Sequence, residues 1–255
     1  MKKVMIIALR DFRAFFTTPV AYILSAGFLG IMGFFFFYLL DVYNIQNLQY
    51  SQMQMGGKVT LSQLIQGLFQ TITFIFLLVV TPVITMRLFA EEKKMHTIEL
   101  LMTAPITLTQ LVLGKFLSAM LFVFSLLGMT LIYPIILLSV GSPDLGLIFT
   151  CYIGNILMVA SFVSIGVMFS ALTDNQIIAF FLTFVTCFLL WLIGVAAVSV
   201  SATVGDILKY VSVLEQYQSS FLIGTLNLTA VIYYLSLTTF FLFVTQRVLD
   251  SYRWR

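Results

Sequence analysis

The sequence predicts an all-α polytopic membrane protein. Six transmembrane helices are expected, with an amphipathic interfacial helix at the N-terminus and a helical element in the largest cytoplasmic loop. Three observations lead there. Of 255 residues, 61% are apolar or aromatic and only 9% are charged, and mean hydropathy is +1.08; an average soluble domain carries about 25% charge. A compact soluble fold of this length could not hide so much apolar surface. The few charges leave six uncharged windows, 14–40, 59–86, 116–143, 145–173, 175–205 and 216–246. Each can cross a bilayer once, since a spanning helix needs about 20 residues. Runs such as GFFFFYLL lack the polar–apolar alternation of a transmembrane strand. A soluble enzyme, a disordered chain and a disulfide scaffold are all excluded.

The whole chain, 1–255, reads as one transmembrane domain. Residues 1–18 form its entry. Val4, Met5, Ala8, Leu9, Phe12, Phe15 and Phe16 recur at helical spacing, with Lys2, Lys3, Arg10 and Arg13 mainly on the remaining surface. Such a helix lies in the interface with its cations towards anionic headgroups. Pro19 marks the boundary with the first span. The spans are expected at about 20–40, 65–86, 116–140, 147–171, 177–199 and 226–246. In span 1, Gly27, Gly30 and Gly33 suggest close helix packing. Pro82 and Pro134 should kink spans 2 and 3. Asn155, the most polar residue inside a span, is expected to hydrogen-bond a neighbouring helix, with a contact on a transport pathway as the alternative.

Residues 41–63 read as a polar outer loop. In the outer segment 200–225, Ile207, Leu208, Val211 and Leu214 suggest one amphipathic helix lying on the surface. The apolar stretch SSFLIGTL that follows could dip into the membrane. GSPDLG between spans 3 and 4 is a tight turn.

Lysine and arginine set the orientation. Eleven cluster at the N-terminus, between spans 2 and 3 and in the tail; only Lys58 and Lys209 fall on the other side. Both termini and the 87–115 segment are therefore expected to be cytoplasmic, and no cleavable signal peptide is expected.

Catalytic chemistry is sparse. Cys151 and Cys187 lie inside spans and read as buried thiols. His96 is the sole histidine, so neither a zinc cluster nor a Cys–His pair can be assembled. No phosphate-binding G-x-x-x-x-G-K-[ST] loop occurs. No cofactor is expected on this chain.

The informative segment is RLFAEEKKMHTIELLMTAPITLTQLVLGK, Arg87 to Lys115. Glu91 and Glu92 precede Lys93 and Lys94 at spacings that support a helix. Ala104-Pro105 breaks it, and Thr107 with Gln110 has the capping-box form that starts another. The result is a helix–break–helix element joined directly to spans 2 and 3.

This segment resembles the loop of ABC-2 family permeases, the membrane subunits of ATP-binding-cassette exporters, whose pattern is approximately A-E-E-[KR]-x-x-G-T-[IL]-E-L-L-x-[TS]-x-P followed by a G-K pair. Ala90, Glu91, Glu92, Lys93, Thr97, Ile98, Glu99, Leu100, Leu101, Thr103, Pro105, Gly114 and Lys115 match it. RDFRAFFTTPVAYI resembles the family's entry into span 1. Gliding-motility-type and copper-enzyme-maturation-type permeases are closest in character. His96 stands where the family usually has Gly; if the backbone there is left-handed, His fits better than a β-branched residue but less well than Gly.

The resemblance implies a type V exporter-like fold in which residues 87–110 form a coupling helix seated on a separate cytosolic ATPase. Glu91, Glu92, Lys93, Lys94, Thr97, Glu99, Leu100, Leu101 and Pro105 would form the docking surface. Arg10, Phe12, Arg13 and Phe16 would serve the interfacial helix. A second permease subunit, identical or similar, would pair with this one around a central pathway. ATP and magnesium would be bound by the ATPase, and the site of action would be the bacterial inner membrane. Membrane lipids are expected partners and nucleic acid is not. From composition rather than resemblance, a pathway lined by Phe, Tyr, Ser, Thr and Asn suits an amphipathic or lipidic cargo better than small ions. An ion-driven carrier or channel is the competing reading, although the spans lack the charged relays such proteins often use. A scaffold driving another envelope protein is a further alternative.

Overall fold

The computed structural model describes residues 2–52, 60–103, 105–199 and 202–252. Lys58, Arg253 and Arg255 lie outside them, and of Leu100 only the backbone is described. No strand occurs among the described residues, and six helical segments are long and apolar enough to cross a membrane.

Helix α1 (Lys2–Thr17) buries Ile7, Ala8 and Phe15 and leaves Met5, Ile6 and Leu9 exposed. Its inward face packs on α7, closely enough that a β-carbon at Gly114 would lie 2.7 Å from Ile7 Cγ2. Helix α2 (Pro19–Gln52) outlasts the expected span by about a dozen residues. The first part of the expected outer loop is therefore helical, because DVYNIQNLQYSQ contains no Gly or Pro to stop propagation. Among the described side chains of α2, only Ala21, Phe28, Met32 and Phe36 are buried.

Helix α3 (Leu61–Ile75) starts at a Thr60–Gln63 capping box. A π-helical turn, Phe76–Val80, joins it to α4 (Thr81–Thr85). This is the backbone's answer to Pro82, whose missing N–H forbids a regular ladder. After a turn come α5 (Ala90–Lys94) and α6 (Ile98–Thr103). Helix α7 (Leu108–Thr130) begins at the Thr107–Gln110 capping box. It gives way at Leu131 to α8 (Ile132–Val140), three residues before Pro134.

Helix α9 (Leu145–Leu172), capped by Asp144, is the central post. Gly154, Ser161, Ser164, Gly166 and Ser170 keep its surface slim and are all buried, which allows close backbone approach. Helix α10 (Gln176–Ser199) and α13 (Leu228–Tyr252) flank it.

The outer segment departs from expectation. Helix α11 (Ala202–Val211) ends at Ser212, whose hydroxyl caps α12 (Val213–Gln218). Leu214 therefore belongs to a second helix, and the pair does not lie on the surface as one. Val213, Tyr217 and Phe221 are fully buried. The chain then turns back through a 3-10 turn, Phe221–Ile223, and through Gly224 at φ 91°, a left-handed conformation suited to glycine.

Candidate functional site

The start of α1, the end of α13 and the loop between spans 2 and 3 gather at one end of the bundle. The loop is built from two directions. Ser170 of α9 takes hydrogen bonds from the N–H groups of Phe89 (2.9 Å) and Ala90 (3.2 Å), and its hydroxyl donates to the Met86 carbonyl. One side chain thus satisfies the backbone where α4 stops and α5 begins. Helix α5 then closes in a Schellman motif: the Thr97 N–H reaches the Glu92 carbonyl (2.9 Å) and the His96 N–H the Lys93 carbonyl (3.1 Å). His96 carries the left-handed residue of that motif at φ 54°, the position where the resembled pattern has glycine.

Within α5, the adjacent side chains of Glu92 and Lys93 turn inward to different neighbours. Glu92 Oε1 lies 2.7 Å from Lys115 Nζ and 3.5 Å from Arg10. Lys115 is only 2% exposed; it also contacts Asp11 (3.3 Å), donates to the Leu88 carbonyl and sits over the Phe89 ring. Arg10 closes the group on Asp11 at 2.8 Å. The other Glu92 oxygen, Oε2, is buried without a hydrogen-bond partner among the described residues. Burial pushes the Glu92 carboxyl above its ordinary value, and Lys115 opposes that shift without cancelling it.

Lys93 is 5% exposed. Its ammonium donates to the Ala171 carbonyl at the end of α9, approaches Asp174 at 3.9 Å and lies 4.5 Å from the Tyr252 ring of α13. A cation on the last carbonyls of a helix also meets the negative end of its dipole. Desolvation lowers the Lys93 pKa, and Asp174 partly offsets this.

The remaining residues divide. Glu91 is half-buried and pairs with Arg87 at 3.7 Å, while Arg87 also donates to Thr18 and covers the Phe15 ring. Thr97 and Leu101 are half-buried and Ile98 is fully buried. Lys94, His96, Glu99 and Pro105 are exposed, as is the apolar side chain of Met95 at 64%. The Pro105 carbonyl accepts from Lys3 of α1 at 2.6 Å. So α1 is strapped to the loop near its start by Lys3, at its middle by Arg10 and Asp11, and just beyond its end by Thr18. Arg13 is exposed, and Phe12 and Phe16 are half-buried, stacked edge to face at 5.2 Å.

Sequence reasoning missed Asp11, Ser170 and Asp174. Asp11 was visible in principle: it is an acid in a basic helix, on the same stripe as Ile7, Ala8 and Phe15. Ser170 and Asp174 carry no local signal, because their partners lie about 80 residues away.

Asn155 is fully buried. Its amide donates to Tyr217 OH at 2.7 Å and to the Cys151 carbonyl at 3.3 Å, and its carbonyl oxygen accepts from Thr73 at 3.1 Å. Nearby, Thr150 and Gln66 donate to the Phe221 and Leu222 carbonyls. The re-entrant segment is therefore pinned to spans 2 and 4. Both cysteines are free and buried.

Among the described residues, a β-carbon at Gly27 or Gly30 would meet nothing within 4 Å, and one at Gly33 only Tyr133 OH at 3.9 Å. Close packing at Gly27 and Gly30 is thus not realised inside this chain. Beyond them, α2, α3 and α10 enclose a cleft of about 610 Å³. Ile31, Phe35, Phe74 and Trp191 line it, with Tyr38, Gln70, Thr71 and Thr73 as polar members and no charged side chain among the described residues.

The family model described as ABC-2 family transporter protein matches residues 5–253. Among curated proteins, none matches the sequence.

Proposed function

Because the chain belongs to the ABC-2 transporter family, and is thus a multi-pass membrane permease of an ABC transporter, we propose that it is the permease subunit of an exporter driven by a separate cytosolic ATPase. The carrying observation is the construction of the 86–107 loop. Glu92, Lys93 and Ile98 anchor it from below, and Lys94, Met95, His96 and Glu99 project above. A stiffly braced protrusion suits a surface that is pushed. ATP and magnesium belong to the partner, since this chain carries no nucleotide-binding motif. Both termini and the loop face the cytoplasm of a bacterial inner membrane, in keeping with the distribution of Lys and Arg.

A second permease subunit completes the pathway, covering exposed parts of α2 and α10. The cargo is amphipathic or lipidic: the uncharged, mostly apolar cleft supports a chain-like apolar part and a small polar part.

Co-purification from native membranes, followed by charge reversal on the exposed tip, tests the reading. Lys94→Glu combined with Glu99→Lys is expected to release the ATPase while the permease stays folded. Retention of the ATPase by that variant, or no ATPase with the native chain in several detergents, would overturn it.

A further inference from the structure

Adjacent residues of a helix diverge by about 100°, and α5 uses that divergence to hold two different parts of the bundle. On one side, Glu92 meets Lys115 of α7 and Arg10 of α1, while Asp11 completes the group. On the other, Lys93 meets the last turn of α9, the α9–α10 turn through Asp174, and α13 through Tyr252. The Glu92–Lys115 pair is buried, whereas Lys93 is held chiefly by the Ala171 carbonyl, Asp174 being largely exposed at 3.9 Å. Both lysines are almost wholly withdrawn from solvent, where an ion pair keeps its geometry because separating it leaves a buried charge unpaired. Backbone bonds reinforce each side: Lys115 also holds the Leu88 carbonyl, and Ser170 holds the Phe89 and Ala90 N–H groups.

The geometry points to Lys93 and Lys115 as positioning residues that make α5 a two-sided joint. Through Glu92 and Lys115, α5 is fixed to α1 and α7; through Lys93, it is fixed to the ends of α9 and α13. A displacement of the exposed tip is then delivered to spans 3, 4 and 6 together, and α1 travels with the loop. The inference rests on the reading that this loop receives the push, but the joint itself can be measured without a partner.

The experiment uses the full chain in lipid nanodiscs, with both buried cysteines replaced by alanine. Nitroxide labels are placed at Lys94→Cys with Arg13→Cys, reporting the distance from α5 to α1, or at Lys94→Cys with Ser251→Cys, reporting the distance from α5 to α13. All three label positions are exposed. Lys93→Met should broaden the 94–251 distance distribution about twofold and leave 94–13 unchanged. Lys115→Met together with Glu92→Gln, which removes both members of the pair and so avoids stranding a buried carboxylate, should do the converse. Broadening of both distances by either variant would mean a general loosening, and no broadening by either would mean that the lysines position nothing; each result overturns the joint.

The transport readout separates this from a merely structural role. In the complex with its ATPase, Lys93→Met is expected to lower transport about tenfold while ATP hydrolysis continues, and an unchanged ratio of transport to hydrolysis would overturn transmission through Lys93. If no ATPase binds the loop, the docking surface proposed above fails, and the two label distances still decide the joint.

Discussion

Gly166 of α9 lies against Thr85 of α4 so closely that a β-carbon at position 166 would collide with the Thr85 side chain. The contact lies one helical turn before Ser170, so it sets the height at which span 2 ends against span 4. Thr85 cannot easily move aside, because its hydroxyl is already bonded to the Thr81 carbonyl.

Gly166→Ala is therefore expected to destabilise the chain by about 1–3 kcal/mol through overpacking. Gly27→Ala should be near neutral, since nothing lies within 4 Å of that site. Thermal unfolding of the two variants in the same detergent makes the comparison, and equal melting temperatures would contradict it.

His96→Gly should raise the melting temperature. A non-glycine residue held at φ 54° pays about 1 kcal/mol for the left-handed conformation, and glycine at this Schellman position relieves it despite the greater freedom of its unfolded chain. A lower melting temperature for the glycine variant would show that the imidazole makes a compensating contact.

Tyr217→Phe removes the acceptor from the shorter of the two Asn155 amide bonds. A cost of about 1 kcal/mol is expected, typical of one buried hydrogen bond. Asn155→Leu should cost more, because it also strands the Thr73 hydroxyl. Hydrogen exchange over residues 213–224 is the sharper measurement: both variants should lose protection there, and unchanged protection would separate the network from the anchoring of this segment.

Glu92 gives a pH dependence of definite sign. Its carboxyl is raised by burial, so the folded state binds the proton more tightly than the unfolded one. Its contribution to stability is fully present below the unfolded pKa and is lost as pH rises through the folded value. Glu92→Gln removes that dependence while leaving a fixed offset from the altered surroundings of Lys115. The melting temperature of the variant minus that of the native chain should therefore increase from about pH 5 to about pH 8, and a constant or falling difference would refute the assignment.

The spans were legible because lipid punishes charge so heavily that the gaps between charges mark the helices. The loop was legible as a motif and as a capping box at Thr107. Its facing was not. In a helix of five residues no periodicity distinguishes inside from outside, so Glu92 and Lys93 read as surface residues together with Lys94. The pairing that turns Glu92 inward comes from Arg10 and Lys115, 82 and 23 residues away. The re-entry of the outer segment was written in Ser212-Val213-Leu214-Glu215, an S-x-x-E start signal. A continuous apolar periodicity across Ser212 concealed it. That Gly27 and Gly30 face no neighbour within the chain follows from no pattern in span 1, where they look the same as glycines that do.

The straps between α1 and the loop also impose an order on biogenesis. Asp11 lies in α1, yet Lys115, which it meets in the folded protein, is made 104 residues later. Lys93 waits likewise for the carbonyl of Ala171, 78 residues downstream. Until spans 3 and 4 have both been inserted, the nascent chain holds Asp11 and Lys93 without their final counterparts. These two straps therefore close only after spans 3 and 4 have been made, long after α1 and the loop that they hold.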